Sequence, residues 1–400
     1  MKAQFQQVSI FSTEFLAILV CFLCNILDGM DVLIISFAAP AIAADWNIAP
    51  SALGLVFSSG LAGMTVGAMV VAPFADQWGR KPLMLIAGTI MSVCIYLTSK
   101  ADSMTMLLMY RFLSGLGIGT MMASSTAMTA ESSPPTTRAF WVSTVVAGYP
   151  VGAVLTGFFS AQMLASSNWQ QLFQWAGIIT FTIVPIIALF IKESSDFSRK
   201  EKEKRSSPSA LLSGQFTTNT LQLWSALFLA FATVYFLLNW IPKLATNAHM
   251  SLEAAIYAGT VFNIGAIVGI PLQGYLSSRY GLKKVVGMML VGTALLLILF
   301  SFVNNSTLML ICLFIMGFGI QGGFVGLYAV AARVYPTSFR ATGVGWAIGI
   351  GRLGGIIGPL IGGWLVAQGF GMIGNFAFFS IPCVLAGIIC LRFSSASMDK

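Results

Sequence analysis

Twelve long apolar runs follow one another along the chain, and this feature limits the possible fold more than any other. Most are about as long as the ~20 residues that an α-helix needs to cross a bilayer. Of the 400 residues, 57% are hydrophobic and only 8% are charged, with a mean hydropathy of +0.86. A soluble domain carries about 25% charged residues. The sequence therefore predicts an all-α polytopic membrane protein with twelve transmembrane helices. The runs cover residues 15–42, 51–74, 83–99, 104–130, 139–163, 170–191, 221–246, 252–276, 284–303, 307–331, 339–366 and 371–392.

A polar, charged segment divides these runs into two sets of six. We expect an N-terminal six-helix bundle over residues 1–191, a cytoplasmic central loop over 192–220 and a C-terminal six-helix bundle over 221–400. The two halves repeat each other at an offset of 202 positions, which indicates duplicated bundles of the kind found in alternating-access transporters. The matched pairs are Gly79 and Gly281, Lys81 and Lys283, and Arg138 and Arg340.

The basic residues show how the chain is oriented. Most lysines and arginines lie in loops on one side, only Lys100 and Lys243 lie on the other, and Arg111 and Arg352 lie inside runs. Loops rich in lysine and arginine face the cytoplasm. We therefore predict a multi-pass protein of the inner membrane with both termini and the central loop in the cytoplasm. The net charge of +8 then reflects loop orientation and anionic lipid, and no nucleic-acid partner is expected.

The first run carries two carboxylates near its middle, Asp28 and Asp31. Their i,i+3 spacing places them on one helix face, with Asn25 one turn earlier. A charge at the bilayer centre costs at least about 2.5–3.5 kcal/mol, so this face is expected to hold protons or a cation. A single interhelical salt bridge without a transport role is the alternative. The corresponding positions of the second half are Ala230 and Thr233, which assigns the proton chemistry to the first half.

Arg111 and Arg352 are the basic residues inside predicted spans. A guanidinium stays charged and grips a carboxylate with two parallel hydrogen bonds. Because the two arginines lie in different halves, they could clamp one anion from both sides or hold the two carboxylates of one dianion. The alternatives are a salt bridge from Arg111 to Asp28 or Asp31, and a contact of Arg352 with the cytoplasmic end.

Further binding candidates are aromatic and amide side chains in the runs. Aromatic rings could pack on a ring of the substrate, and amides could hydrogen-bond its polar groups, although each aromatic could equally be core packing. No phosphate-binding loop, nucleophile triad or metal cluster is recognisable, so we predict no enzyme activity, no cofactor and no metal. The candidates are Tyr149, Tyr235, Asn239, Trp240, Gln321, Phe324 and Tyr328.

Two motifs resemble signatures of the major facilitator superfamily. One is the loop Ala75–Pro82 after the second run, and the other is the glycine- and proline-containing segment Gly148–Gly152. The resemblance implies that the loop forms a cytoplasmic gate with charged residues at the end of the fourth run. Anchoring to the membrane surface is the alternative for its basic residues. The expected gating residues are Asp76, Gly79, Arg80, Glu131 and Arg138.

Within that superfamily, Asp28–Asp31 resembles the first-helix signature of the aromatic acid:proton symporters, and Gly351–Gly355 also resembles that family. The family carries 4-hydroxybenzoate, benzoate, related phenolic acids or cis,cis-muconate. Ser278 departs from it, because an acidic residue is usual there. We therefore predict a monomeric, proton-coupled symporter in the lipid bilayer that imports a small organic acid, either aromatic or an unsaturated dicarboxylate such as muconate. A proton-coupled exporter of cationic or amphipathic compounds is the alternative.

Overall fold

The computed structural model describes residues 13–134, 137–193, 217–303, 305–335 and 340–393. Within these ranges the chain forms helices, and twelve of them are long and apolar enough to span a membrane, as the sequence predicted. Their spans are α1 Thr13–Trp46, α2 Pro50–Phe74, α3 Arg80–Thr98, α4 Met104–Ser132, α5 Phe140–Ser166, α6 Trp169–Phe190, α7 Thr217–Asn247, α8 Leu252–Tyr280, α9 Leu282–Leu299, α10 Thr307–Val334, α11 Thr342–Ala367 and α12 Met372–Arg392.

The chain divides into two compact units. The first comprises Met1–Ala41 and Ser59–Glu203, and the second comprises Ile42–Ser58 and Lys204–Lys400. The segment Ile42–Ser58, which includes the first half of α2, thus belongs to the second unit although it lies early in the sequence.

Large apolar side chains cover the outer faces of both units. Leu189 is 76% exposed in the first unit and Met288 is 66% exposed in the second. A water-soluble protein seldom exposes so many apolar groups together. In a bilayer the same surface faces lipid tails, so this distribution agrees with a multi-pass membrane protein.

Glycines bring the helices of the first unit close together. A side chain at Gly29 on α1 would clash with the backbone carbonyl of Tyr149 on α5, and one at Gly152 on α5 would clash with the carbonyl of Ile26. Lipid tails are as apolar as the side chains, so membrane helices associate mainly through close packing of small residues. These two contacts hold α5 against the part of α1 that carries Asp28.

The second unit is packed in the same way. A Cβ at Gly354 on α11 would clash with the carbonyl of Phe228 on α7. The first half of α2 also contacts this unit, because the hydroxyl of Ser58 donates to the carbonyl of Ile356 at 2.6 Å. Phe57 meets Trp240 edge-to-face with 5.3 Å between ring centroids.

The internal repeat predicted from the sequence is visible in the backbone. Gly79 and Gly281 both adopt positive φ, 93° and 92°, at the junction between two consecutive helices. Glycine occupies this conformation without the steric cost that a side chain brings. The two halves therefore share the same tight turn at equivalent positions, which supports the pseudo-repeat.

Candidate functional site

Asp31 and Arg111 form a buried ion pair between α1 and α4. The guanidinium Nη1 lies 2.8 Å from Asp31 Oδ1, and Nη2 donates to the Asp31 carbonyl at 3.2 Å. The side chains are 0% and 3% exposed, respectively. Gly60 on α2 makes room for the guanidinium, since a Cβ there would lie 3.4 Å from Nη2. The salt bridge predicted as one alternative for Arg111 is therefore present.

Asp28, one turn before Asp31, has a different environment. Its side chain is fully buried, and neither carboxylate oxygen has a hydrogen-bond partner among the described residues. Burying an ionised carboxylate without a partner costs several kcal/mol or more. The two aspartates of α1 therefore differ sharply, although the sequence spacing treats them alike.

Asn25 connects the same face of α1 to α4. Its amide nitrogen donates to the Cys21 carbonyl and to the Ser125 hydroxyl, each at 3.0 Å. Tyr149 lies half-buried on α5, with its backbone against Gly29. The structure thus brings Asn25, Asp28 and Asp31 together with Arg111 in the first unit. Ser125 was not predicted, because nothing distinguishes it from the other small residues of its helix.

The second unit contains a group of aromatic rings beside Arg352. Phe231 on α7 meets Phe324 on α10 edge-to-face at 4.6 Å between centroids and stacks on Tyr235 at 5.8 Å. Phe324 also contacts Tyr328 at 5.2 Å. These four rings, Phe231, Tyr235, Phe324 and Tyr328, are called the aromatic cluster below.

Arg352 on α11 lies within electrostatic reach of the Tyr328 side chain and is half-buried. No described carboxylate of the second unit forms an ion pair with it. Gly355 on α11 lets the cluster approach, because a Cβ there would lie 3.0 Å from the Tyr235 ring. A cation that has no ion-pair partner among the described residues of the second unit thus lies near Tyr328, a member of the aromatic cluster. The sequence did not predict the central ring, Phe231.

The other predicted binding residues of the second unit form hydrogen bonds with groups of the protein. The Asn239 amide donates to the Tyr235 carbonyl at 2.7 Å, and the Gln321 amide approaches Asn263 Oδ1 at 3.4 Å. Trp240 is fully buried, and its indole N–H donates to the Pro359 carbonyl at 3.0 Å. Trp240 therefore acts in packing between α7 and α11 in this structure.

A second charged group surrounds the turn between α2 and α3. Arg80 binds Glu131 through Nε to Oε2 at 2.8 Å and Nη2 to Oε1 at 2.5 Å. The structure thus brings together two of the predicted gating residues. Arg138 is exposed, and the side chain of Asp76 lies outside the described residues.

Glu193 completes this group, although it was not among the residues predicted from the sequence. Its carboxylate accepts from the backbone N–H of Arg80 at 2.8 Å and of Lys81 at 3.3 Å. A carboxylate is favourable at a helix N-terminus, because the orphan N–H groups and the helix dipole both attract negative charge. Its position directly after the sixth apolar run was the available signal.

Comparison with known proteins places these features in a wider group. The family model described as "Major Facilitator Superfamily" matches residues 21–273 and 223–398. The chain is 32% identical to a 3-(3-hydroxy-phenyl)propionate transporter of Escherichia coli, with 93% of this chain and 92% of the relative covered. It is 30% identical to the 4-hydroxybenzoate transporter PcaK of Pseudomonas putida (93% and 90% covered) and 28% identical to a gallate transporter of the same species (94% and 91% covered).

Solved structures show the same architecture. A D-xylose-proton symporter superposes with a TM-score of 0.79 at 16% identity, covering 97% of this chain and 100% of the other. A bacterial homologue of the human lysosomal transporter Spinster superposes with a TM-score of 0.73 at 18% identity, covering 97% and 96%. At these identities the likeness establishes the fold.

Proposed function

Because the chain belongs to the major facilitator superfamily, we propose that it is a proton-coupled secondary transporter that imports an aromatic acid anion by alternating access. Three relatives are named for 3-(3-hydroxyphenyl)propionate, 4-hydroxybenzoate and gallate, which are all aromatic carboxylic acids. Membership of the superfamily confirms the predicted twelve-helix fold and the prediction that the protein is not an enzyme.

The observation that carries the substrate assignment is the position of Arg352 beside the aromatic cluster. A guanidinium offers two parallel hydrogen bonds to a carboxylate, and a charge-assisted hydrogen bond contributes about 1.5–3 kcal/mol. Rings that pack edge-to-face or offset on a substrate ring add about 0.5–1.5 kcal/mol per pair. A benzoate-like anion satisfies both parts of this arrangement at once.

We assign the carboxylate to Arg352 and not to Arg111. Arg111 already binds Asp31 by side chain and backbone, so gripping a substrate would require breaking a buried ion pair. With one available guanidinium, the arrangement favours a mono-acid over a dicarboxylate such as muconate.

The proton chemistry belongs to the buried carboxylates of α1 in the first unit. A buried carboxylate can take up a proton when its side of the membrane is open and release it on the other side. Arg80, Glu131 and Glu193 serve the gate in this proposal, since their bonds tie the α2–α3 turn to the ends of α4 and α6. We place that turn and both termini in the cytoplasm, because the loops on that side hold most of the lysine and arginine.

Uptake into proteoliposomes tests this function. Labelled 4-hydroxybenzoate, benzoate, gallate and cis,cis-muconate are offered to the purified protein with and without an imposed inward proton gradient. We expect accumulation of at least one aromatic mono-acid that depends on the gradient, with little uptake of muconate. Gradient-driven accumulation of muconate alone would contradict the mono-acid assignment.

Absence of uptake for the whole acid panel, together with proton-driven efflux of a lipophilic cation, would support the exporter alternative. In that case the buried carboxylate of Asp28 would bind the cargo. The charge of Arg352, which has no ion-pair partner among the described residues, argues against it, because an arginine beside the rings repels a cation.

A further inference from the structure

Two carboxylates lie one helical turn apart on α1, and among the described residues only Asp31 has a counter-charge. Asp31 is bound to Arg111 at 2.8 Å, whereas both oxygens of the buried Asp28 lack a partner among the described residues. Resting on the proposed function, we infer that Asp28 alone carries the transported proton, and that Asp31 stays ionised in its pair with Arg111 throughout the cycle.

The surroundings of Asp28 within the first unit favour a neutral carboxylic acid. On its own helix the titratable neighbours are Cys24 and Asp31, neither of which supplies positive charge. From α5 the neighbouring segment is that around Tyr149, which packs on Gly29. From α4 the charged group is Arg111, whose charge is already matched by Asp31, and on α3 the thiol of Cys94 interacts with Asp31 and supplies no positive charge. A proton on Asp28 removes a charge that none of these groups would balance.

Asp31 is in the opposite situation. A guanidinium does not lose its proton in proteins, so protonating Asp31 would leave the charge of Arg111 buried without a partner. Breaking a buried pair by neutralising one member is strongly unfavourable. The pair therefore acts as a unit without net charge that orients α1 against α4, and Asp31 is a positioning residue.

Proton uptake and proton release can both take place at the single carboxylate of Asp28. When Asp28 is accessible from outside the cell, a proton from water forms an O–H bond on its carboxylate. When Asp28 is accessible from the other side of the membrane, that O–H bond breaks and the proton returns to water. One proton then moves in each cycle.

Difference infrared spectroscopy of the purified protein in lipid tests this inference without any substrate. A protonated carboxylic acid gives a C=O stretch that shifts in D2O, whereas ionised carboxylates absorb elsewhere. At neutral pH we expect this band in the wild type and its loss in Asp28→Asn. The other acidic residues are common to the wild type and the variant, so their bands cancel in the difference between the two spectra.

Variants of the ion pair provide matched controls. The double variant Asp31→Asn/Arg111→Gln removes both charges together, so no buried charge is stranded, and it should keep the band. Arg111→Gln alone strands Asp31, which should then protonate and increase the band. A band that persists in Asp28→Asn and disappears in the double variant would overturn the inference.

Transport assays separate this inference from the proposed function. Asp28→Asn should retain exchange of labelled against unlabelled 4-hydroxybenzoate within about threefold of the wild type, while gradient-driven accumulation falls to background. Accumulation by Asp28→Asn would refute the proton assignment and leave the transport function intact. A lack of aromatic acid binding in the wild type, with the infrared result as expected, would refute the function and leave Asp28 as the protonated site.

Discussion

Lys81 and Lys283, which are 202 positions apart, make equivalent contacts in the two halves of the protein. Lys81 Nζ donates to the Ala188 carbonyl at 2.7 Å, and Lys283 Nζ donates to the Phe393 carbonyl at 2.9 Å. Each lysine thus supplies positive charge at the end of the last helix of its half, where orphan carbonyls collect.

The carboxylates around these two turns are not equivalent. The first turn has Glu131 on Arg80 and Glu193 on the backbone of α3. The second turn has Ser278, whose hydroxyl donates to the Tyr275 carbonyl of its own helix at 2.7 Å. The replacement of the usual acidic residue by serine is therefore accommodated locally, and we assign the gate to the first turn.

The gate assignment predicts an effect on turnover. Arg80→Lys keeps the charge but loses the two-pronged bond to Glu131, so the maximal uptake rate should fall by roughly tenfold while the substrate Kd changes by less than about twofold. Asp76→Asn should act in the same direction. Uptake kinetics and equilibrium binding measure the two quantities, with the exposed Arg392→Lys as the control. The charge-swapped Arg80→Glu/Glu131→Arg variant should recover part of the uptake rate that Arg80→Glu alone loses. A large loss of substrate binding with normal turnover would argue against a gate.

Arg352 should control substrate affinity. Arg352→Lys keeps a charge but lacks the planar fork, so binding of 4-hydroxybenzoate should weaken by about 1–3 kcal/mol, roughly a factor of 5 to 150 in Kd. Arg352→Ala should weaken binding further. Equilibrium binding of the labelled acid to the purified protein measures this effect. Wild-type affinity in a folded Arg352→Ala protein would exclude Arg352 from the site.

The aromatic cluster should distinguish aromatic from aliphatic acids. Phe324→Leu keeps an apolar side chain but removes ring–ring contacts, so benzoate binding should weaken by about 0.5–1.5 kcal/mol. Cyclohexanecarboxylate has a similar size and charge without a π-system, and its binding should change little. Competition binding with the two acids gives the comparison. Equal losses for both would indicate a packing defect and not ring recognition.

The glycine contact between α1 and α5 should limit stability. Gly29→Ala places a methyl group against the Tyr149 carbonyl, and overpacking of this kind costs about 1–3 kcal/mol. Gly274→Ala on α8 is the matched control, because nothing lies within 4 Å of its added Cβ, and helix propensity predicts a gain of up to about 1 kcal/mol. Thermal unfolding in detergent should show a lower Tm for Gly29→Ala alone. Equal Tm values for the two variants would mean that α1 and α5 are not tightly packed.

Charge balance predicts electroneutral transport. One proton on Asp28 and one mono-anion on Arg352 together move no net charge, whereas each additional proton would make uptake sensitive to the membrane potential. Initial uptake rates in liposomes should follow the pH gradient and remain unchanged when a potassium diffusion potential is imposed with valinomycin. Stimulation by a negative interior would indicate more than one proton per anion.

The sequence by itself determined the architecture of this protein. The helices follow from apolar runs of bilayer length, because backbone groups in lipid must be satisfied within each segment. The repeat with its matched glycines Gly79 and Gly281 is also visible without coordinates, and so are the intramembrane charges Asp28, Asp31, Arg111 and Arg352. These features depend on local composition or on spacing along one helix.

Only the tertiary structure decided which groups meet. Asp28 and Asp31 look equivalent in sequence, yet Arg111 on a distant helix contacts one of them, because partner choice depends on how α1 and α4 are rotated against each other. Contacts between distant parts of the chain also decide the roles of residues that the sequence did not single out. Ser125 accepts from Asn25 on another helix, and Phe231 contacts Phe324 on another helix. Arg80 meets its two acids, Glu131 and Glu193, across 51 and 113 positions. Such contacts arise from helix rotation and close glycine packing, and the local hydrophobic pattern carries no information on either.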